Sequence, residues 1–237
     1  MPKLVLSLLS WLALPIYVVQ GVYVLLTVKR QLPGTGPSLF EHAGASPQIR
    51  LLVIGDSTVA GVGVTHLTDG LAAQMAAQIS AKTGQAVHCR AAGFNSAVSG
   101  DLRDQAAPNL PAERWTHILI SVGTNDTKNL HTVPRFRCEF GGLLYVLRAR
   151  WPDARIAWAN VVDMRSFPTL PALLGQMLEW RALLINDAGK QLCEERGAHA
   201  SPRFDIPGPD VFSMDGFHVN KEGYRLCAQH LLPTVLG

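Results

Sequence analysis

Apolar positions follow two patterns along this chain. Between Leu4 and Val28 they run on without a charged residue, bounded by Lys3 before and Lys29-Arg30 after. From Ile49 onward, short apolar runs alternate with longer stretches whose apolar residues recur at helical spacing. The first pattern is long enough for the roughly 20 residues that cross a bilayer core. It shows no polar stripe. Pro15 and Gly21 are tolerable in a membrane helix, and no small-x-small cleavage site is evident. Residues 1–30 are therefore expected to form one hydrophobic helix that anchors the chain in a membrane. A signal segment and a buried core helix are the alternatives. Lys3 and the amino terminus oppose Lys29 and Arg30, so charge bias does not set the orientation. Residues 31–48 contain Pro33-Gly34-Thr35-Gly36-Pro37 and Ser46-Pro47 and read as a linker.

The second pattern, over residues 49–237, predicts a folded domain of ample size for a core. Strands are expected at 50–54, 86–90, 116–122 and 155–159, with a weaker one at 199–204. Helices are expected at 67–82 (stopped by Gly84), 99–107 (capped by Ser99), 133–150, 173–196 (closed by Gly197) and 221–232. Apolar strands separated by helices imply an α/β fold with a five-stranded parallel sheet covered on both faces. Right-handed crossovers favour a doubly wound sheet in which the first strand lies between the second and third. Ligands then bind at the carboxyl ends of the strands, where the winding switches.

Composition narrows the partners. Net charge is +3, with no Lys/Arg run and no aromatic-basic stripe, so no nucleic acid is expected. Cys89, Cys138, Cys193 and Cys227 include no C-x-x-C pair and read as free thiols; they do not fix the compartment. Gly61-Val62-Gly63 lacks the third glycine of a dinucleotide fingerprint, and no Gly-Lys-Ser/Thr is present. Asp205, Asp210, Asp215 and His218 cluster in sequence without a recognised ligand spacing. Neither cofactor nor metal is expected.

Three segments carry candidate chemistry: Gly55-Asp56-Ser57, Gly123-Thr124-Asn125-Asp126 and Asp215-Gly216-Phe217-His218. Singly, each has an ordinary reading. Ser57 reads as a helix cap, Asn125 or Asp126 as a cap of the next helix, and His218 as a solvated loop histidine. Together they supply a hydroxyl nucleophile, an amide donor and an imidazole–carboxylate pair, the minimum for acyl transfer. The expected topology brings all three to the carboxyl edge of the sheet.

These blocks, in this order, resemble those of the SGNH (GDSL-type) hydrolase family over the whole domain. The resemblance implies a flavodoxin-like three-layer α/β/α sandwich and metal-free ester hydrolysis through an acyl-enzyme. By position it implies Ser57 as nucleophile, His218 as base and Asp215 as its partner. Asn125 and the Ser57 N–H would be oxyanion donors. The family's second block supplies a glycine N–H as a further donor. In Ala91-Ala92-Gly93-Phe94-Asn95-Ser96-Ala97-Val98-Ser99-Gly100-Asp101-Leu102, one alignment places Ser96 at that glycine and another places Gly100 there. Ser96 is favoured, because Ser99 is then free to cap the following helix. A loop that needs positive φ would nevertheless strain a serine.

The expected protein is thus a membrane-anchored serine esterase acting on a small ester, either a lipid or lysophospholipid or a short acyl ester. An acyltransferase or O-acetyl esterase of envelope carbohydrate, and a non-catalytic membrane-tethered binding module, are the alternatives. The side of the membrane is undecided; analogy favours the extracytoplasmic one. The loops after Asn125 and at 165–173 are expected to shape the pocket.

Overall fold

A computed structural model describes residues 2–237. The chain opens with two helices, α1 (Lys3–Leu12) and α2 (Leu14–Thr27). Next come β1 (Leu39–His42), β2 (Ala45–Gly55), α3 (Leu71–Thr83) and β3 (Gln85–Gly93). Then α4 (Ser99–Asp101) runs through a π-helical turn at Leu102–Ala106 into α5 (Ala107–Asn109). The remainder is β4 (His117–Ser121), α6 (Thr124–Lys128), α7 (Val133–Arg150), β5 (Arg155–Ala159), α8 (Ala172–Glu195), β6 (His199–Ala200) and α9 (Lys221–Leu236).

The strands form one sheet of order β1-β3-β2-β4-β5-β6. The five strands from β2 to β6 are parallel, and their order is the doubly wound one expected. The sheet has six strands rather than five, because Leu39–His42, within the stretch read as a linker, pairs antiparallel to β3 at the edge. Only Phe40 of that strand is buried, so it carries too little alternation to register as a strand. β6 is shorter than expected, at two residues.

Alternation along β2 sorts the core into two layers. Leu51 and Val53 face α3 and α9, whereas Leu52 and Ile54 face α5, α7 and α8. Each such side chain, fully buried, stabilises by about 1.5–3 kcal/mol. In the second layer Trp158 is fully buried on β5, donates to Val122 O at 2.9 Å and packs 5.0 Å from Phe140. Gly189 of α8 makes room for it, since a Cβ there would overlap the indole. Gly84 closes α3 in the left-handed conformation at φ 68°, as its place in the sequence suggests.

The single N-terminal helix expected from the apolar run is instead a pair bent by 61° at Ala13. Pro15 is the physical reason: it has no N–H for the carbonyl four residues back, and its ring crowds that carbonyl. No single helix among the described residues is long and apolar enough to cross a membrane, though α1 and α2 together have the length and composition. The pair packs along α8 through a sparse polar stripe that the run conceals. Arg181 Nη1 donates to the buried Ser10 Oγ at 3.3 Å, and its guanidinium lies 4.8 Å from the centre of a Trp11 ring. Tyr17 donates to Lys128 O at 2.8 Å, and Gln20 accepts from Leu174 N at 2.9 Å.

Candidate active site

Ser57 lies two residues beyond Gly55, the last residue of β2. Gly55 lies so close to β4 that a Cβ would overlap Ser121 O, and Asp56 N donates to that same oxygen at 3.1 Å. Asp56 is buried. Its Oδ1 accepts from Thr58 N at 3.0 Å, and its carbonyl accepts from Val59 and Ala60, so it ties the tight turn that presents Ser57. Burial pushes the Asp56 carboxyl above its ordinary pKa, against the opposing pull of the Thr58 bonds.

His218 comes from the segment before α9. Its Nε2 lies 3.0 Å from Ser57 Oγ and its Nδ1 lies 2.6 Å from Asp215 Oδ2. The other carboxylate oxygen of Asp215 accepts from Ser213 Oγ at 2.9 Å, Phe217 N at 2.9 Å and His218 N at 2.8 Å. Burial alone would raise the Asp215 pKa. The bonds from His218 and from the His218 and Phe217 amides outweigh it and hold the carboxyl at about 2. Asp215 is therefore charged at neutral pH and fixes Nδ1 as the protonated nitrogen, which leaves Nε2 able to accept the serine proton.

Asn125 lies inside α6, not at its cap, which is Gly123. Its side chain is buried beside Ser57, with Nδ2 3.0 Å from Ala97 O and a longer 3.4 Å from Asp56 Oδ2. Ser96 lines the same cavity as Ser57 and Asn125 and has φ 64°, one of two positive values at non-glycine residues among those described. Gly100 lies within α4 against Glu139 and lines neither cavity that meets Ser57. Ser99 is not the helix cap expected of it; Val98 holds that place. Ser99 instead binds Asp126, through its N–H at 3.2 Å and its hydroxyl at 3.2 Å.

That last contact belongs to a cluster that sequence reasoning missed. The fully buried Asp126 also meets His131 Nδ1 at 3.2 Å, and the same nitrogen lies 3.3 Å from Glu139. Arg181 donates to His131 O at 2.6 Å. Asp126 thereby ties the Asn125 segment to the start of α4, next to Ser96. The available signal was His131, five residues beyond Asp126. Among the described residues, Asp126, His131 and Glu139 form the one grouping with metal-ligand atoms close together; Asp205 and Asp210 do not join Asp215 and His218 in such a group.

Two cavities meet at Ser57, Asn125, Phe217 and His218, one of about 110 Å³ and one of about 580 Å³. Both loops expected to shape the pocket do so. Phe167, stacked on Phe217 at 4.6 Å, lines the smaller cavity, whereas Thr169, Leu170 and Lys128 line the larger. Burial lowers the Lys128 pKa, and its ammonium lies 5.8 Å from the Phe217 ring centre.

A doubly wound sandwich with a serine, histidine and aspartate hydrogen-bonded in series at its carboxyl edge has the layout of an ester hydrolase. The sequence profile of the GDSL-like Lipase/Acylhydrolase family matches residues 53–226, and the chain belongs to that family. No curated protein matches the sequence. Solved structures match widely. The psychrotrophic esterase EstA from a Pseudoalteromonas species is 18% identical at a TM-score of 0.60, covering 78% of this chain and 95% of its own. The lipase Lip_vut3 from a goat rumen metagenome is 16% identical at 0.64, covering 78% and 97%. A phospholipase A1 from Streptomyces albidoflavus is 14% identical at 0.55, covering 81% and 98%. At these identities the likeness is one of fold.

Proposed function

We propose that the protein is a serine esterase in which Ser57, His218 and Asp215 act as the triad. His218 Nε2 takes the Ser57 hydroxyl proton as Oγ attacks the ester carbonyl. The tetrahedral oxyanion receives hydrogen bonds from Asn125 Nδ2 and from the Ser57 and Ser96 N–H groups. His218 then returns the proton to the leaving alkoxide, which departs as the alcohol. Water, deprotonated by His218, attacks the acyl carbonyl, and His218 returns that proton to Ser57 Oγ as the C–Oγ bond breaks and the acid leaves. The supporting observation is the unbroken series Ser57 Oγ–His218 Nε2 at 3.0 Å and His218 Nδ1–Asp215 Oδ2 at 2.6 Å. One amide hydrogen of Asn125 is held by Ala97 O; the other makes only the 3.4 Å contact to Asp56 and is the one available to an oxyanion. Such a donor contributes roughly 3 kcal/mol.

Residues 49–237 form the hydrolase domain on this reading, and residues 1–30 bring it to a membrane. Val19, Tyr23 and Leu26 lie on the face of α2 turned away from the domain and are exposed, Leu26 at 81%. An apolar face of that kind suits the boundary between headgroups and acyl chains.

Fluorophosphonate labelling of the full chain, read by intact mass beside a Ser57→Ala control, tests the nucleophile. A single adduct that the substitution abolishes is expected. A folded protein that takes no label, or that labels equally without Ser57, refutes the assignment.

A further inference from the structure

We infer that α2 forms one wall of the acyl-binding site, so that the groove between α2 and α8 holds the long acyl chain of the ester whose carbonyl sits at Ser57. This rests on the esterase reading and names its substrate class: long-chain acyl esters rather than acetyl esters. The groove is the cavity of about 580 Å³. Tyr17, Gly21 and Val24, spaced as one helix face, form one side; Leu170, Leu174 and Leu178 form the other. It ends at Ser57, Asn125 and His218, and its volume lies within the roughly 300–1,000 Å³ usual for ligand sites. The second cavity at Ser57, about 110 Å³, has no room for a long chain.

Directional bonds hold the wall in place. The N-cap position of α8 is Pro171, which offers no side-chain cap, and the otherwise orphaned Leu174 N–H is satisfied by Gln20 of α2. Tyr17 likewise donates to Lys128 O, at the end of α6. A helix lodged in lipid away from the domain would leave all four groups without these partners. Gly21 then has a clear consequence. A Cβ built there meets nothing within 4 Å, so a larger side chain at this lining position has room to enter the groove. The family match begins at residue 53, so this wall lies outside the part shared with the family.

The test uses the full chain in phospholipid nanodiscs, free of detergent that would itself fill the groove. Hydrolysis of p-nitrophenyl acetate, butyrate, decanoate and palmitate is compared in the wild type, Gly21→Ala and Gly21→Trp. Replacing glycine favours the helix, so the variants are expected to fold. Gly21→Trp fills the groove and is expected to lower the decanoate-to-acetate ratio of kcat/KM by about tenfold or more, with Gly21→Ala intermediate. A ratio that Gly21→Trp leaves within about twofold of wild type overturns the assignment. A second readout needs no catalysis: Gly21→Trp, introduced into the Ser57→Ala protein, is expected to weaken cis-parinaric acid binding about tenfold. Unchanged binding overturns the groove. Weakened binding in a protein with no Ser57-dependent hydrolysis keeps the groove and removes the esterase reading instead.

Discussion

Replacing Asp215 by asparagine separates what this carboxylate does for the fold from what it does for the reaction. The carboxyl has an ordinary pKa of 3.8 and is held at about 2 in the folded chain, a difference of about 2 kcal/mol in favour of the charged form. Because the folded pKa is depressed, that stabilisation is fully present above the ordinary carboxylate pKa. It is lost as pH falls toward and through about 2. Asparagine can keep the bonds from Ser213, Phe217 and His218 N at its carbonyl oxygen. Its amide then faces His218 Nδ1 where Oδ2 stood, and donates where the carboxylate accepted. The imidazole proton is driven to Nε2, toward Ser57, and the base can no longer accept. The expected loss in kcat is about 10⁴-fold, or roughly 5.5 kcal/mol of transition-state stabilisation.

The two magnitudes decide the outcome. A loss of about 2 kcal/mol lowers Tm by about 4–8 °C in a chain of this size and leaves the protein folded at 25 °C. The activity lost is more than twice as large in free energy and falls on kcat, with KM little changed. Steady-state kinetics on a soluble ester at pH 7 to 8, with a thermal melt followed by near-ultraviolet circular dichroism, read both. A folded Asp215→Asn protein whose kcat falls less than about tenfold would refute the tautomer argument. Asp215 would then be a turn residue that happens to touch the histidine.

Three further outcomes follow from the same geometry. Asn125→Ala should cost about 100-fold in kcat by removing an oxyanion donor, and about 1 kcal/mol of stability by orphaning Ala97 O, read by kinetics and a urea melt. Ser96→Gly should leave Tm within about 2 °C, because relief of about 1 kcal/mol of left-handed strain offsets the greater freedom of the unfolded chain. It should retain kcat, since the N–H stays; a large loss would show that the Ser96 hydroxyl itself takes part. Gly63→Ala should slow fluorophosphonate labelling of Ser57 by about 10²-fold. Gly63 has φ 103°, and a Cβ there would overlap Val219 O and lie 3.2 Å from His218 Cβ, pushing the base out of line.

Strands β2, β4 and β5 were legible because runs of three or more apolar residues announce themselves whatever lies around them. β1 was not, since its one buried residue, Phe40, acquires meaning only from a partner strand some fifty residues later. Ser57, Asn125, Asp215 and His218 were legible because chemistry restricts which residue types serve, and the topology predicted that their loops share an edge. In the sequence Asp126 suggests no more than a cap. Its contacts with Ser99, His131 and, through His131, Glu139 join several segments, and no local spacing encodes them. Ser96 stands between these cases. Its alignment was legible, and so was the risk that the loop needs positive φ; that the loop does so, at 64°, is a fact of the fold.

The N-terminal run shows most plainly where hydropathy stops. A stretch without charge reports a preference for an apolar neighbour, and lipid tails and a protein groove satisfy it equally well. What distinguishes them is the fate of the few polar groups. Ser10, Tyr17 and Gln20 look incidental among leucines and valines. Each nevertheless pairs with a group of the domain: Arg181, the Lys128 carbonyl and the Leu174 amide. Pro15 is tolerable in a membrane helix, yet here it turns the run by 61° so that both halves can follow α8. The residues facing away from the domain, Val19, Tyr23 and Leu26, stay exposed. On the reading proposed above, one helix serves two apolar surroundings at once, with its inner face against the acyl chain and its outer face against the bilayer. A long-chain ester would then pass from the membrane to Ser57 along α2.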